Sequence, residues 1–206
     1  MQMIPIDVKE KDFEKLMHIY EGAMMQVKQE LESMQNTLKK FYEYDVINNI
    51  NCRIKSPESI VNKMKKKNYD LNYKALIQNI NDVAGIRIVC PFRSDIVIVR
   101  KLIEESEVIN IIEEKDYIKK PKKSGYTGIH YIVSTPVTLG ETNIQVKMEI
   151  QIRTMAMDFW ATAEHKIKYK SKSKLSAIDS RKMVYYSKLI NKIDEKIMNI
   201  NNKYID

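Results

Sequence analysis

Cysteine is nearly absent from this chain. Cys52 and Cys90 are the only two in 206 residues, and neither stands in a paired metal-ligand spacing. Two separate reduced thiols, buried or half-buried and inert, are therefore expected rather than a disulfide or a metal site. Histidine occurs three times, at His18, His130 and His165, too scattered for a His-x-x-x-His zinc motif. No apolar run approaches a membrane span, and the segment MQMIPIDVKEKDFEK carries charges where a signal peptide needs an apolar stretch. The expected compartment is the cytoplasm, with no membrane partner. No segment is low in complexity, repeated, or rich in proline, glycine and serine, so residues 1–206 are expected to form one domain.

What is abundant is charge. Lysine and arginine number 35 against 27 aspartates and glutamates, a formal net charge of +8. Such an excess points to an anionic partner: nucleic acid, phospholipid or nucleotide polyphosphate. Composition does not choose among these; the placement of the charges does.

The hydrophobic pattern changes period along the chain. Phe13, Leu16, Met17, Tyr20, Met24, Val27, Leu31, Met34 and Leu38 recur every three or four residues. That spacing predicts one long amphipathic helix over residues 12–42, with Asp12 as its N-cap. Ser56-Pro57 starts a second helix, serine capping and proline in the first turn. Short β-rich runs follow at Val83–Cys90, Val108–Ile112, Gly128–Thr135 and Ile144–Arg153, the last two joined by a turn through Gly140. A helix is expected near Asp95–Glu105, another from Thr154, and a last long one over about Ala177–Ile200, in the C-terminal segment 177–206. The whole reads as an α+β fold: a mixed β-sheet core flanked by helices, with long N- and C-terminal helices.

Four segments carry candidate chemistry. In KKPKKSGYTGIHY, Lys119, Lys120, Lys122 and Lys123 crowd a loop with Pro121, Gly125 and Gly128, leading to His130. Lysines there supply mobile donors for phosphate oxygens, and Tyr126 offers a flat face to a purine; a solvated turn has the same composition. In RIKSPESIVNK, Arg53 and Lys55 precede the capped helix, and Ser59 and Lys63 lie four apart on one face. A helix N-terminus beside cations suits a polyphosphate, although a plain capped surface helix also fits. In NDVAGIRIVC, Ile86, Ile88 and Cys90 face one way and Arg87 the other, while Asp82 opens the strand and Gly85 permits close approach. In KMEIQIR, Glu149, Gln151 and Arg153 share the polar face of a strand. Asp82 and Glu149 amid cations make sense as ligands of a divalent ion that bridges polyphosphate, or as a base on an attacking hydroxyl. Each also fits an ordinary ion pair on an exposed sheet.

Taken in order, RIKSPESIVNK, NDVAGIRIV, DYIKKPKKSGYTGIH and VKMEIQIRTMAMDFWATAEHKIKYK resemble the synthetase domain of the RelA/SpoT homologues, most closely the stand-alone small alarmone synthetases of the RelQ type. The likeness covers residues 53–170, the expected catalytic core, and implies a nucleotidyltransferase-like synthetase fold. It implies that Arg53 and Arg87 sandwich the adenine of ATP, and that Lys55, Ser59 and Lys63 hold its phosphates. It implies that Asp82 and Glu149 bind Mg²⁺ (or Mn²⁺), with Glu149 also the general base. It further implies that Tyr126 stacks on the acceptor guanine while Lys115, Lys122, His130 and Gln151 position that nucleotide. The implied reaction is pyrophosphate transfer from ATP to the 3′-hydroxyl of GDP or GTP, and in some cases GMP, releasing AMP. No His-Asp dipeptide occurs, so synthesis without hydrolysis is expected.

RelQ-type relatives resemble homotetramers whose central cleft binds guanosine pentaphosphate as an activator. Lys28 fits that pattern, but Glu32, Asn49, Asn51 and Asp158 depart from it, so weak or absent product activation is expected. Two other classes answer to the same composition. One is a basic module for single-stranded RNA, in which the acidic pair would have no use. The other is a nucleotidyltransferase, which would release pyrophosphate instead of AMP.

Overall fold

The structure, a computed structural model, describes residues 10–170 and 175–204. Its elements are α1 (Glu10–Phe41), β1 (Asn49–Ile54), α2 (Pro57–Lys66), α3 (Tyr73–Asn79), β2 (Ala84–Cys90), α4 (Arg93–Glu104), β3 (Asn110–Asp116), β4 (Ile129–Leu139), β5 (Thr142–Thr154), α5 (Met155–Lys170) and α6 (Ala177–Tyr204). The five strands form one sheet in the order β1-β2-β5-β4-β3. Only β2 and β5 run parallel; the other neighbours are antiparallel, so the sheet is mixed as expected.

Glu10 is already helical, so Asp12 lies within α1 and is not its N-cap. Nothing in Glu10-Lys11 stops helix propagation, and the apolar period alone does not mark the start. Its Tyr20, Ala23, Val27 and Leu31 are buried against the sheet beside Ile86, Ile88, Met148, Ile150 and Tyr131. Alternation in β2 and β5 turns these apolar residues to the α1 side and leaves the polar ones on the opposite face.

Local signals set the other helix starts. Ser56 Oγ accepts from the Ser59 amide at 3.3 Å, and Pro57 occupies the first turn of α2. Asn72 caps α3 through the Ala75 amide at 2.8 Å. Asp95 accepts from the Phe92 amide at 2.9 Å and from Tyr44 Oη at 2.7 Å, fixing the start of α4 at Arg93.

Several elements depart from the sequence reading: helix α3 was not expected, β4 runs on past Thr135 to Leu139, and both edge strands differ. Strand β1 was not expected, because Asn49 and Asn51 are poor strand formers; it is held at the sheet edge by six residue pairings to β2. Strand β3 runs to Asp116 instead of ending near Ile112, through the charged Glu113-Glu114-Lys115. It too is an edge strand, and charged side chains at such an edge discourage pairing with other chains. No helix among the described residues is long and apolar enough to cross a membrane.

Candidate active site

The polar face of the sheet is organised by register. Asn51 pairs with Arg87, Arg87 with Gln151, Gln151 with His130, and His130 with Lys115, one row across all five strands. The adjacent row reads Arg53, Gly85, Glu149, Ile132 and Glu113. Paired residues on neighbouring strands project to the same side. Six of the expected site residues, Arg53, Arg87, Lys115, His130, Glu149 and Gln151, therefore share two adjacent rows of one surface.

Arg53, Asp82, Arg87, Glu149 and Gln151 line one cleft. Gly85 forms part of its floor: a Cβ there would stand 3.9 Å from Arg53 Cγ, in ordinary contact. Steric demand from the protein itself thus does not require glycine, and the open space above it belongs to the cleft.

Asp82 sits just before β2 and is clamped from two sides. Lys55 Nζ donates to its Oδ2 at 2.5 Å and Lys63 Nζ to its Oδ1 at 2.8 Å. Burial pushes its carboxyl up, but the two lysines outweigh that, and it lies below the ordinary carboxylate value. The lysines expected to hold ATP phosphates and the aspartate expected to hold metal are thus paired with one another. Ser59, in the first turn of α2, accepts from Ser56 Oγ at 2.8 Å.

Glu149 is the hub of a closed hydrogen-bonded ring. His130 Nδ1 lies 2.8 Å from Glu149 Oε1, and Gln151 Nε2 donates to Glu149 Oε2 at 2.5 Å. Tyr126 Oη lies 2.5 Å from His130 Nε2. Arg153 closes the ring, donating from Nε to Tyr126 Oη at 3.0 Å and from a terminal nitrogen to Gln151 Oε1 at 2.6 Å. Burial pushes the Glu149 carboxyl up, while His130 and Gln151 bring it below its ordinary value. Burial likewise lowers Arg87, helped by the nearby Arg153 and Arg53 charges.

Tyr126 is 7% exposed, so its ring is not an open platform in this conformation. Lys122 Nζ lies 4.7 Å and Arg153 Cζ 4.8 Å from its centroid, both cation–π contacts, and burial raises its hydroxyl. Burial also lowers Lys122. Lys115 stands at the far end of the first row and pairs with Glu113 at 3.0 Å.

Two members of the site were not among the expected ones. Arg153 is 5% exposed and joins both arms of the ring; its place on the polar face of β5 was the available signal. Asp158, expected to add negative charge to an activator cleft, is instead engaged by Arg153 at 3.0 Å and Arg87 at 3.3 Å. Of the other departures, Glu32 pairs with Lys28 at 3.2 Å. Both cysteines are free, and burial pushes each thiol up, away from reactivity.

Among the described residues, no three His, Cys, Asp or Glu side chains gather to hold a metal ion. The donor set in the cleft is the pair Asp82 and Glu149, close enough for Asp82 to act on the Glu149 charge. Two hard carboxylates fit Mg²⁺, which keeps much of its water and takes further oxygens from substrate phosphates. They do not fit a closed structural zinc site.

The chain and its fold are similar to known proteins. The chain is 35% identical to GTP pyrophosphokinase YwaC of Bacillus subtilis, covering 92% of this chain and 90% of that one. It is 30% identical to GTP pyrophosphokinase YjbM of the same organism, covering 93% and 89%. Small alarmone synthetase 1 of Bacillus subtilis, in a crystal structure bound to its product pppGpp, superposes with a TM-score of 0.87 at 29% identity, covering 94% of this chain and 98% of that one. Residues 52–174 match the family described as a region found in RelA/SpoT proteins, and the chain belongs to that family.

Proposed function

We propose that the chain is a GTP pyrophosphokinase, moving the β,γ-pyrophosphate of ATP to the 3′-hydroxyl of GDP or GTP and releasing AMP. The observation that carries the reading is the meeting of Asp82 and Glu149 in one cleft walled by Arg53 and Arg87. Carboxylates in an anion-binding cleft serve a reaction that needs a cation and a base, whereas a groove tracking a nucleic-acid backbone has no use for them.

In this reading Arg53 and Arg87 stack on the adenine, while Lys55, Ser59 and Lys63 meet the phosphates. Tyr126, with Lys122 moved off its ring, takes the guanine, and Lys115, His130 and Gln151 orient the acceptor. Glu149 accepts the 3′-hydroxyl proton as the 3′-oxygen bonds the β-phosphorus, and the bond from that phosphorus to the α,β-bridging oxygen breaks, that oxygen leaving with AMP. Mg²⁺ held by Asp82 and Glu149 would neutralise charge on the transferring group. The protein's own share is alignment and electrostatic stabilisation, because transfer of this type needs little covalent help.

Assembly as a homotetramer is part of the proposal, supported by the exposed apolar Tyr185, Leu189, Ile193 and Ile197 along α6. Weak product activation is another part, since Glu32 neutralises Lys28; a several-fold rate increase on adding product would refute it.

The test is purified protein with labelled ATP, Mg²⁺ and each of GMP, GDP and GTP. AMP and a 3′-pyrophosphorylated guanine nucleotide are expected. Release of pyrophosphate would mean nucleotidyl transfer instead, and an active Glu149→Gln variant would remove the assigned base.

A further inference from the structure

Helix α6 buries a polar strip. Ser187, Asn191 and Asp194 are spaced four and three residues apart, so they share one face, and Ser187 and Asp194 are 2% and 5% exposed. Polar groups this deep are retained only with partners, and Ser187 and Asn191 find theirs in part on the loop that carries Tyr126.

Ser187 Oγ donates to the carbonyl of Gly125. Asn191 Oδ1 accepts from Thr127 Oγ1 at 3.2 Å and from Arg93 at 2.8 Å, while Asn191 Nδ2 donates to the Ser187 carbonyl at 2.8 Å. Asp194 accepts from Arg93 Nε at 2.9 Å and from Thr154 Oγ1 at 3.1 Å, at the end of β5. The residues on either side of Tyr126 are thus both fastened to α6. The approach is close: Gly125 has φ +93°, and a Cβ on it would stand 2.8 Å from Ser187 Cβ. Trp160 adds a bond from its Nε1 to the Met183 carbonyl at 3.2 Å, tying α5 to the same helix.

The geometry points to Ser187 and Asn191 as positioning residues for the acceptor nucleotide. They fix residues 125–127 so that Tyr126 meets His130 and Arg153, and they touch no reacting atom themselves. The inference rests on the assignment of Tyr126 to the acceptor. Arg53, Lys55 and Lys63 are set by β1, α2 and the turn before β2, so the effect falls on one substrate and spares the other.

The experiment measures GDP affinity by calorimetry, and KM for GDP and for ATP, in the wild type, Asn191→Leu, Asn191→Asp and Thr127→Val. Loss of the Asn191 acceptor is expected to weaken GDP binding and raise its KM about tenfold, with the ATP KM moving less than about twofold. Asn191→Asp keeps an acceptor for Thr127 and Arg93 and is expected to recover most of the GDP affinity. Thr127→Val deletes one hydroxyl without touching α6, so it reads the same link if Asn191→Leu does not fold. Equal rises in both KM values, or a lowered melting temperature with both unchanged, would overturn the positioning role. A wild type that binds GDP but makes no alarmone would overturn the proposed reaction and leave the calorimetric comparison to judge the brace. A wild type that does not bind GDP would sink both.

Discussion

His130 Nδ1 stands 2.8 Å from Glu149 Oε1, and that contact selects which tautomer a neutral imidazole adopts. An ionised carboxylate only accepts, so Nδ1 must carry the proton. In the neutral imidazole Nε2 then accepts from Tyr126 Oη, 2.5 Å away, and the tyrosine oxygen accepts in turn from Arg153 Nε at 3.0 Å. On the other arm Arg153 donates to Gln151 Oε1 at 2.6 Å, and Gln151 donates to Glu149 Oε2 at 2.5 Å. Both arms run from guanidinium to carboxylate with every donor facing an acceptor, an arrangement in which each bond strengthens the next.

Replacing His130 with leucine is expected to move the acid limb of the kcat/KM profile upward. Burial alone raises the Glu149 carboxyl, and His130 is the largest influence bringing it below its ordinary value of 4.5. Without the imidazole, burial acts against Gln151 alone, so the base is protonated at a higher pH. A drop of about tenfold or more in kcat at neutral pH should accompany the shift, the scale for an active-site hydrogen bond to the base. An unmoved limb would mean that Glu149 is not the titrating base.

Asp82 makes the fold sensitive to acid in a defined direction. Its folded-state value lies below the ordinary 3.8, so the unfolded chain binds the proton more readily. The contribution is therefore fully present above about pH 4–5 and is lost as pH falls through the folded value. Melting temperatures measured from pH 7 to pH 3 should fall more steeply for the wild type than for Asp82→Asn. At pH 7 the variant should be less stable by about 1–3 kcal/mol, because Lys55 and Lys63 are left partly buried and unpaired. Parallel curves would refute the assignment.

Much of the site was legible because strand alternation survives folding. The period-two pattern of KMEIQIR put Glu149, Gln151 and Arg153 on one face, and the isoleucines of β2 put Arg87 opposite the core. Ser56-Pro57 likewise announced the start of α2 by its own cap. What the pattern did not contain was pairing between strands. That Gln151 lies between Arg87 and His130 follows from register, which links residues 87, 151 and 130 through main-chain bonds with no mark in the local sequence. The same holds for Asn191, a common polar residue in a long helix until Thr127 and Arg93 are brought against it.

Gly125→Ala tests the close approach of α6 to the loop from the other side. At φ +93° an L-residue is strained, and the added methyl would stand 2.8 Å from Ser187 Cβ and 3.3 Å from Val184 Cα. The expected cost is about 2 kcal/mol or more in unfolding free energy, read by urea denaturation. A change within about 0.5 kcal/mol, the usual range for surface positions, would show that the loop stands free of α6.

Arg153→Lys separates charge from geometry. Lysine keeps the positive charge but has one compact head group, whereas Arg153 reaches Tyr126, Gln151 and Asp158 with nitrogens spread over a planar fork. A lysine at this position can serve one arm of the ring, and the other then loses its terminal donor. At 5% exposure the position offers little water to replace it. Arg153→Lys is therefore expected to lower kcat about tenfold, on the scale of one lost charge-assisted bond beside the base, with thermal stability reduced less than in Arg153→Met. Arg153→Met additionally leaves Asp158 with Arg87 as its remaining cation among the pairs described, and its larger loss should be partly relieved by Asp158→Asn in the same chain. Wild-type turnover in Arg153→Lys would mean that charge alone suffices and that the ring's directionality does not contribute to catalysis.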